Sequence, residues 1–212
     1  MAVLSAVYSK AVGRWYCAQT NPCAHVERNP SSRRTRYITD EEYLAFYQML
    51  PERIRLGMDL AFVTGQRQGD ILAMKWDQVS EEGIRLQQGK TGKKLLIGLS
   101  PTLQAILDRC KALLPHLPRE YVLRTRKGKG YTGEGFRACW QRTMRKAIKG
   151  YTRGGEKFPP VLTERFSYHD LRAKCVSDSV SLDAAFERAG HTTMAMTRSV
   201  YDRNYRKVTP LK

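Results

Sequence analysis

The last quarter of the chain, residues 167–205, constrains the fold most strongly because it alternates short helix-forming segments with turn residues. Residues 170–179 are compatible with a helix. The segment DAAFERA, which Asp183 is predicted to cap and Gly190 to end, has apolar positions at helical spacing. Residues 192–200 form a third segment of this kind. The pattern predicts a C-terminal part built from short, packed helices.

The same stretch carries four side chains that suit phosphate chemistry. His169 and Arg172 are three residues apart, so one helical turn places both on the same face, where they can hold one anion together. His191 follows the glycine, and Tyr201 lies ten residues further on. Two imidazoles, a guanidinium and a phenol are suited to phosphoryl transfer. The alternative is that HxxR occurs by chance and that each histidine only caps a helix or packs.

The net charge of the chain predicts a polyanionic partner. The chain has 37 Lys and Arg residues and 20 Asp and Glu residues, which give a net charge of +17 and a pI near 9.9. This excess indicates nucleic acid as the partner, although a ribosome-like basic protein would have a similar charge. A membrane surface is disfavoured because the basic residues are spread along the chain and do not gather on one amphipathic helix.

The cysteines and the N-terminus bear on cofactors and on cellular compartment. The five cysteines are odd in number, widely spaced and without a CxxC pair, which indicates reduced packing thiols. His169 and His191 have no cysteine or paired carboxylate at a recognised ligand spacing, so no metal site is predicted. The N-terminal MAVLSAV has too short an apolar core for a secretory signal, so a cytoplasmic location is predicted.

The first 36 residues read as a helix followed by a linker. Residues 1–20 are predicted to be one helix, the last of a truncated preceding domain, because their apolar residues form a stripe. Residues 21–36 are rich in turn formers and basic side chains, which indicates a linker that can lie along phosphates or a simple solvated tether. The arginines predicted to contact DNA here are Arg33, Arg34 and Arg36. Residues 37–212 are predicted to form one compact domain.

The compact domain is predicted to begin with three helices. Thr39 opens a capping box, TDEE, in front of an amphipathic helix over residues 40–49. A core helix then runs toward Gly65, a predicted helix-ending glycine. Arg67 and Asp70 follow at the head of the third helix, where a carboxylate can orient a guanidinium toward a phosphate. The alternative is a structural surface ion pair, which would contribute under about 1 kcal/mol.

A β hairpin follows the third helix. Residues 83–86 and 95–97 read as two short strands around the turn QQGKTGKK. The turn carries Lys90, Lys93 and Lys94. A lysine on such a turn suits a proton donor or a DNA contact, but three lysines can equally form a solvated tip.

The region after the hairpin is predicted to hold a basic helix. Residues 135–148 have an apolar side and a basic side, and the basic side can follow a DNA backbone through Arg137 and Arg142. Residues 151–167 are predicted to be a loop without clear structure.

Taken in order, these motifs resemble a known family. TGQRQGD, GKTGKK on a hairpin, HDLR, AGH and a tyrosine near the C-terminus are similar to the catalytic domain of the tyrosine recombinases, in particular the phage integrases. The resemblance covers residues 37 to about 206. It implies an α+β fold that is mainly α-helical and has a small antiparallel β hairpin or sheet. The catalytic residues that it implies are Arg67 with Asp70, Lys90, His169, Arg172, His191 and Tyr201.

The resemblance also implies a mechanism and partners. Tyr201 would attack a phosphodiester of double-stranded DNA and form a 3'-phosphotyrosyl intermediate, while Arg67 and Arg172 stabilise the transition state with His191 as a third donor. Lys90 would protonate the departing 5'-hydroxyl, and His169 would assist in accepting the tyrosyl proton. No ATP, metal or other cofactor is implied. The full-length protein would be a site-specific recombinase or integrase that assembles into a tetramer on DNA.

Two points remain open at the level of sequence. Tyr201 lies one residue further from His191 than is most common in the family, and Tyr205 is a second candidate nucleophile. Two other functions fit the same motifs: a topoisomerase-like enzyme that cleaves and reseals DNA without strand exchange, and a DNA-binding module whose tyrosine is not competent.

Overall fold

The chain divides into two compact units, residues 1–34 and 35–212. The computed structural model describes residues 2–16, 18–26, 35–190 and 193–203.

The first unit contains one helix and a turn. Helix α1 covers Ala2–Gly13, so the predicted helix over residues 1–20 is too long. The backbone of Tyr16 has a φ of 53°, a left-handed conformation that cannot continue a helix. Asn21 donates hydrogen bonds from Nδ2 to the hydroxyls of Ser5 and Ser9, at 3.2 and 3.0 Å, which hold the following turn against α1.

The second unit is mainly helical. Its helices are α2 (Asp40–Met49), α3 (Glu52–Thr64), α4 (Gln68–Leu72), α5 (Pro101–Ala112), α6 (Gly133–Lys149), α7 (Tyr168–Ser177), α8 (Leu182–Ala189) and α9 (Met194–Met196), and a π-helical turn, Thr197–Tyr201, follows α9. A short 3-10 helix covers Trp76–Gln78. These elements agree with the predicted mainly helical α+β class, which is confirmed.

Two antiparallel sheets complete the second unit. Strands β1 (Val79–Ser80), β2 (Gly83–Gln87) and β3 (Lys94–Ile97) pair in that order. Strands β4 (Tyr151–Arg153) and β5 (Glu156–Phe158) form a separate hairpin. The prediction of an unstructured loop over residues 151–167 is therefore wrong in its first half. Gly154 and Gly155 have φ of 58° and 86°, and two such glycines make the tight turn that joins the strands.

The helix caps agree with the sequence at some ends and differ at others. The predicted capping box of Thr39 and Glu42 is present at the start of α2 and is confirmed. Gly65 and Gly190 adopt the left-handed conformation after α3 and α8, as predicted. Asp183, however, lies in the first turn of α8, because the hydroxyl of Ser181 accepts the capping hydrogen bond from the backbone of Ala184 at 3.2 Å.

The core is centred on α3, which packs against α5 and α7. Phe46, Trp140, Phe166 and Tyr168 meet edge to face with ring centroids 4.7 to 5.8 Å apart. Gly57 is required in α3, because a Cβ there would lie 2.8 Å from the ring of the buried residue Phe136. This packing fixes the C-terminal end of α3 against α7, and the candidate site lies at that end.

Candidate active site

Arg67 is held at the head of α4 by a glutamine from the hairpin. It occupies the N-cap position of α4, two residues after Gly65, which ends α3. Its Nη1 donates a 2.8 Å hydrogen bond to Oε1 of Gln88. Asp70 is 4.0 Å from the same nitrogen and accepts a 2.9 Å bond from the backbone of Gly89 instead. Since 4.0 Å exceeds hydrogen-bond distance, Asp70 tethers the hairpin and Gln88 orients Arg67.

Gln88 was not singled out in the sequence, although a signal for it exists. Along β2 and just beyond it, Ile84, Leu86 and Gln88 are buried, and Arg85 and Gln87 are exposed. This alternation has a period of two and points Gln88 inward. A glutamine at an inward position of an apolar stripe needs partners for its amide, so its polarity there indicates a specific role.

Arg172 is buried beneath the site. It is 1% exposed, and its Nη1 and Nη2 donate to the backbone oxygens of Gly65 and Ala189 at 2.6 and 2.7 Å. Its guanidinium lies 5.4 Å from the centre of the Tyr201 ring. Burial lowers the pKa of Arg172, and the positive charge of Arg67 acts in the same direction. Arg172 therefore ties the C-terminal ends of α3 and α8 together and places its charge beside the tyrosine.

His169 and Tyr201 are in contact. The Tyr201 hydroxyl lies 3.3 Å from Nε2 of His169, and the rings meet edge to face with centroids 5.6 Å apart. His169 is exposed, whereas Tyr201 is 7% exposed. The hydroxyl of Ser177 donates a 3.0 Å bond to the backbone oxygen of Tyr201. α7 thus holds the tyrosine both through the side chain of His169 and through its own last residue.

The segment after Tyr201 is tied to the start of α7. Nη1 of Arg203 is 2.9 Å from Oδ1 of Asp170 and 2.7 Å from the backbone oxygen of Arg36. Asp170 also accepts bonds from the backbone and hydroxyl of Ser167, at 2.8 and 2.6 Å. Burial raises the pKa of Asp170, but the bonds from Ser167 and Arg203 outweigh it and hold that pKa below its ordinary value. This clamp was not predicted from the sequence.

The hairpin lysines are exposed on the turn between β2 and β3. Gln88 closes the turn, with its backbone nitrogen donating to Lys93 at 2.9 Å and its backbone oxygen accepting from Gly92 at 2.8 Å. Lys90 lies inside this turn, and Lys94 begins β3. The Lys93 ammonium is 5.3 Å from the centre of the Phe186 ring. The turn that carries Lys90 is therefore anchored on the residue that orients Arg67.

The remaining predicted residues differ in their surroundings. Arg36 pairs with Glu42 and, at 2.8 Å, with Glu164, so its guanidinium is engaged by carboxylates. Arg137 and Arg142 are exposed on α6. The predicted residues that lie outside the described part of the chain are His191, Tyr205, Arg33 and Arg34.

A cavity of about 910 Å³ lies beside the head of α4. Gln68 and Gly69, the two residues after Arg67, line one part of it. Lys127, Lys129 and Arg137 line another part. Glu120 lines the cavity as well, so three basic side chains and one acidic side chain surround it, and this excess of positive charge suits a polyanion.

The described part of the chain contains neither a metal-binding cluster nor a helix that could span a membrane. No group of three or more His, Cys, Asp or Glu side chains is arranged there to hold a metal ion. No helix among the described residues has the length and apolar content that a membrane crossing requires.

Solved structures of lambda integrase are similar to this chain. The structure matches a lambda integrase dimer bound to a COC' core site with a TM-score of 0.73 and 27% sequence identity, covering 100% of this chain and 60% of that one. It also matches a lambda integrase tetramer bound to a Holliday junction with a TM-score of 0.72 and 28% identity, covering 100% of this chain and 60% of that one. The fold is that of a tyrosine recombinase catalytic domain.

The sequence comparisons agree with the fold. The model of the phage integrase family matches residues 36–207, and the chain belongs to this family. The integrase of Escherichia phage HK022 is 40% identical over 103 residues, which are 47% of this chain and 29% of that protein. The chain spans less than half the length of the curated relatives that it matches.

Proposed function

We propose that residues 37–212 form the catalytic domain of a site-specific DNA recombinase or integrase that cleaves and rejoins DNA through a 3'-phosphotyrosyl intermediate. The observation that carries the proposal is the position of the Tyr201 hydroxyl, 3.3 Å from His169, with the Arg172 guanidinium 5.4 Å from the tyrosine ring. Tyrosine has an ordinary pKa of about 10 and stays protonated at neutral pH. A proton acceptor and a fixed cation beside the phenol supply what this nucleophile lacks.

In the cleavage step, the oxygen of Tyr201 attacks the phosphorus and the bond from phosphorus to the 5'-oxygen breaks. The tyrosyl proton passes to Nε2 of His169, and Lys90 donates a proton to the leaving 5'-oxygen. The product is a phosphodiester between tyrosine and the 3'-end, which stores the bond energy. Attack by a 5'-hydroxyl reverses these transfers and reseals the strand, so the chemistry requires no ATP and no metal.

Arg67 and Arg172 are proposed to stabilise the pentacoordinate phosphorus. Arg172 is 1% exposed, and bonds to the backbone oxygens of Gly65 and Ala189 hold its guanidinium beside Tyr201. Donors that are already positioned by the fold need no reorganisation when charge develops on the phosphate. His191, directly after Gly190, is proposed as a further donor, and Asp70 as a support for the hairpin.

The proposed partner is double-stranded DNA. The net charge of +17 and the basic cavity beside Arg67 support it, as do the DNA-bound lambda integrase structures. The contacts proposed to lie along the DNA backbone come from Arg33, Arg34, Arg36, Lys93, Lys94, Arg137 and Arg142. The lambda integrase tetramer supports a tetramer of the full-length protein on DNA, and we place the protein in the host cytoplasm, associated with DNA.

The experiment that tests the proposal uses a nicked duplex from which the cleaved fragment diffuses away, so that the covalent adduct accumulates. The wild-type chain is expected to form the adduct, and Tyr201→Phe is expected to form none. Tyr205→Phe is the matched control and is expected to remain active. An adduct from Tyr201→Phe together with none from Tyr205→Phe would assign the nucleophile to Tyr205.

The same assay separates the alternative functions. A wild-type chain that binds DNA but never forms an adduct would be a binding module. Adduct formation without Holliday junctions, tested with the full-length protein and two site-bearing DNAs, would indicate a topoisomerase-like enzyme. Junctions that depend on Tyr201 are the outcome expected for a recombinase.

A further inference from the structure

Gln88 is a buried amide at the centre of the candidate site. It is 0% exposed and directly follows β2, where the chain enters the turn that carries Lys90. Its Oε1 accepts from Nη1 of Arg67 at 2.8 Å and from the hydroxyl of Thr91 at 2.7 Å. Its Nε2 donates to Oε1 of Gln66 at 2.8 Å and to the backbone oxygen of Ala189 at 2.9 Å.

These four bonds fix the orientation of the amide. A primary amide has two N–H donors and an oxygen with two lone pairs, so Gln88 uses its full capacity. Rotating the amide by half a turn would direct N–H groups at the guanidinium of Arg67 and an oxygen at the carbonyl of Ala189. Both contacts would be repulsive, so one orientation alone satisfies the site.

Gln88 also connects the two arginines of the site. The backbone oxygen of Ala189 accepts from Nε2 of Gln88 at 2.9 Å and from Nη2 of Arg172 at 2.7 Å. A continuous path of hydrogen bonds therefore runs from Arg67 through the amide and the carbonyl to Arg172. Two guanidinium groups repel each other, so their separation has to be set by groups that hold each of them.

The packing around Gln88 is close on its other side as well. A Cβ at Gly190 would lie 2.8 Å from Nε2 of Gln88 and 2.9 Å from Leu95. Gly190 has a φ of 62°, so glycine is favoured there both by conformation and by space. The end of α8, directly before His191, is thus seated against the Gln88 amide.

We propose that Gln88 is a positioning residue for DNA cleavage. Its amide holds Arg67 at a set distance from Arg172. It also ties the turn that carries Lys90 to the end of α8. This inference rests on the proposed cleavage activity. It adds that the relative position of Arg67 and Arg172, the two arginines proposed to bind the phosphate, is set by a residue that does not itself reach the phosphate.

The test replaces Gln88 by methionine, which has a similar length and no hydrogen-bonding amide. Gln88→Met is expected to slow single-turnover adduct formation about 100-fold, because a misplacement of about 1 Å has a cost of that order. Its affinity for duplex DNA is expected to stay within about twofold of wild type, because Gln88 is buried and the affinity comes from phosphate contacts of basic side chains. The matched control is Gln87→Met, an exposed neighbour on β2, which is expected to keep the wild-type rate.

A double-mutant cycle with Arg67→Ala separates positioning from a general loss of stability. If Gln88 acts through Arg67, Gln88→Met slows the Arg67→Ala protein at least about tenfold less than it slows the wild type. Equal slowing in both backgrounds would overturn the proposal, and so would a wild-type rate for Gln88→Met. Should Gln88→Met not fold, Gln88→Leu, which also removes the amide and adds no charge, takes its place in the cycle with the same expected non-additivity.

The same proteins distinguish a failure of the proposed role of Gln88 from a failure of the proposed cleavage activity. If the wild-type chain forms no adduct, the proposed cleavage activity fails. The melting temperatures of the same four proteins then still test the link, because a hydrogen bond between Gln88 and Arg67 makes the two substitutions non-additive in stability. Additive melting shifts would show that Gln88 does not hold Arg67.

Discussion

The face of α7 and the turn between β2 and β3 present their basic side chains in different ways. Arg172 on α7 is 1% exposed and is bound to two backbone oxygens, so its position is set by the core. Lys90 on the turn is exposed, and the fold sets the position of its backbone through Gln88. A group that stabilises charge benefits from being fixed beforehand, whereas a proton donor has to approach and leave one atom.

The largest expected effect on the cleavage rate is at Arg172, whose position is fixed by the core. Arg172→Ala is expected to raise the barrier to adduct formation by about 3 to 4 kcal/mol, up to roughly a thousandfold in rate. Its DNA affinity is expected to change by a modest factor, since one proposed phosphate contact among many adds little to binding. The measurement is single-turnover cleavage beside a binding isotherm, and Arg145→Ala on the exposed face of α6 serves as control. Wild-type adduct levels from Arg172→Ala would refute its role.

The next largest expected effect on the cleavage rate is at Lys90, on the turn between β2 and β3. Lys90→Ala is expected to slow cleavage of ordinary DNA by about 100-fold, because the leaving 5'-oxygen then lacks its proton donor. A substrate with sulfur at the 5'-bridging position has a leaving group that needs no proton, so this substrate is expected to restore the rate.

The neighbouring lysines provide the control for this assignment. Lys93→Ala and Lys94→Ala are expected to cleave both substrates at similar, near wild-type rates. Sulfur rescue of Lys93→Ala or Lys94→Ala, without rescue of Lys90→Ala, would move the proton donor to another lysine.

A third prediction concerns the clamp formed by Arg203 and Asp170, which ties the segment after Tyr201 to the start of α7. Arg203→Ala is expected to lower the free energy of unfolding by about 1 to 3 kcal/mol, because the buried carboxylate of Asp170 loses its cation. Thermal unfolding measures this change. Arg126→Ala, at an exposed position, is the comparison variant, and an equal loss of stability from both substitutions would contradict a specific clamp.

The pH dependence of the same clamp has a defined sign. The pKa of Asp170 is lowered in the folded protein, so its contribution to stability is present above the unfolded pKa of about 3.9. This contribution is lost as the pH falls through the lower, folded pKa. Melting temperatures measured from pH 5 downward are therefore expected to fall more steeply for wild type than for Asp170→Asn. Parallel curves would show that Asp170 does not contribute.

The smallest expected effect is on DNA binding at the basic cavity. Arg137→Ala is expected to weaken duplex binding a few-fold and to reduce the slope of log K against log salt by about one. Binding isotherms at several salt concentrations measure both quantities. Arg85→Ala, an exposed arginine on β2 that pairs with Glu82 at 2.9 Å, is the control. An unchanged salt slope for Arg137→Ala would show that Arg137 in this cavity does not contact DNA.

Local sequence signals predicted much of the fold. The capping box at Thr39 and the helix-ending glycines at Gly65 and Gly190 depend on residues within a few positions, and the structure has all three. The hairpin turn at Gly154 and Gly155 was missed, although two adjacent glycines are a signal of the same local kind. The cap of α8 was assigned to the wrong one of two nearby residues, since Ser181 and Asp183 both suit that position.

The order and spacing of residues were enough to predict the chemical groups of the site: His169 and Arg172 share a helix turn, and Tyr201 follows at a distance that a short helix can span. The partners that hold those groups could not be read from the sequence. Gln88 meets Arg67 across 21 positions and Ala189 across 101, and Arg203 meets Arg36 across 167. Local patterns report on neighbours along the chain, whereas these contacts form only when the tertiary structure brings distant segments together.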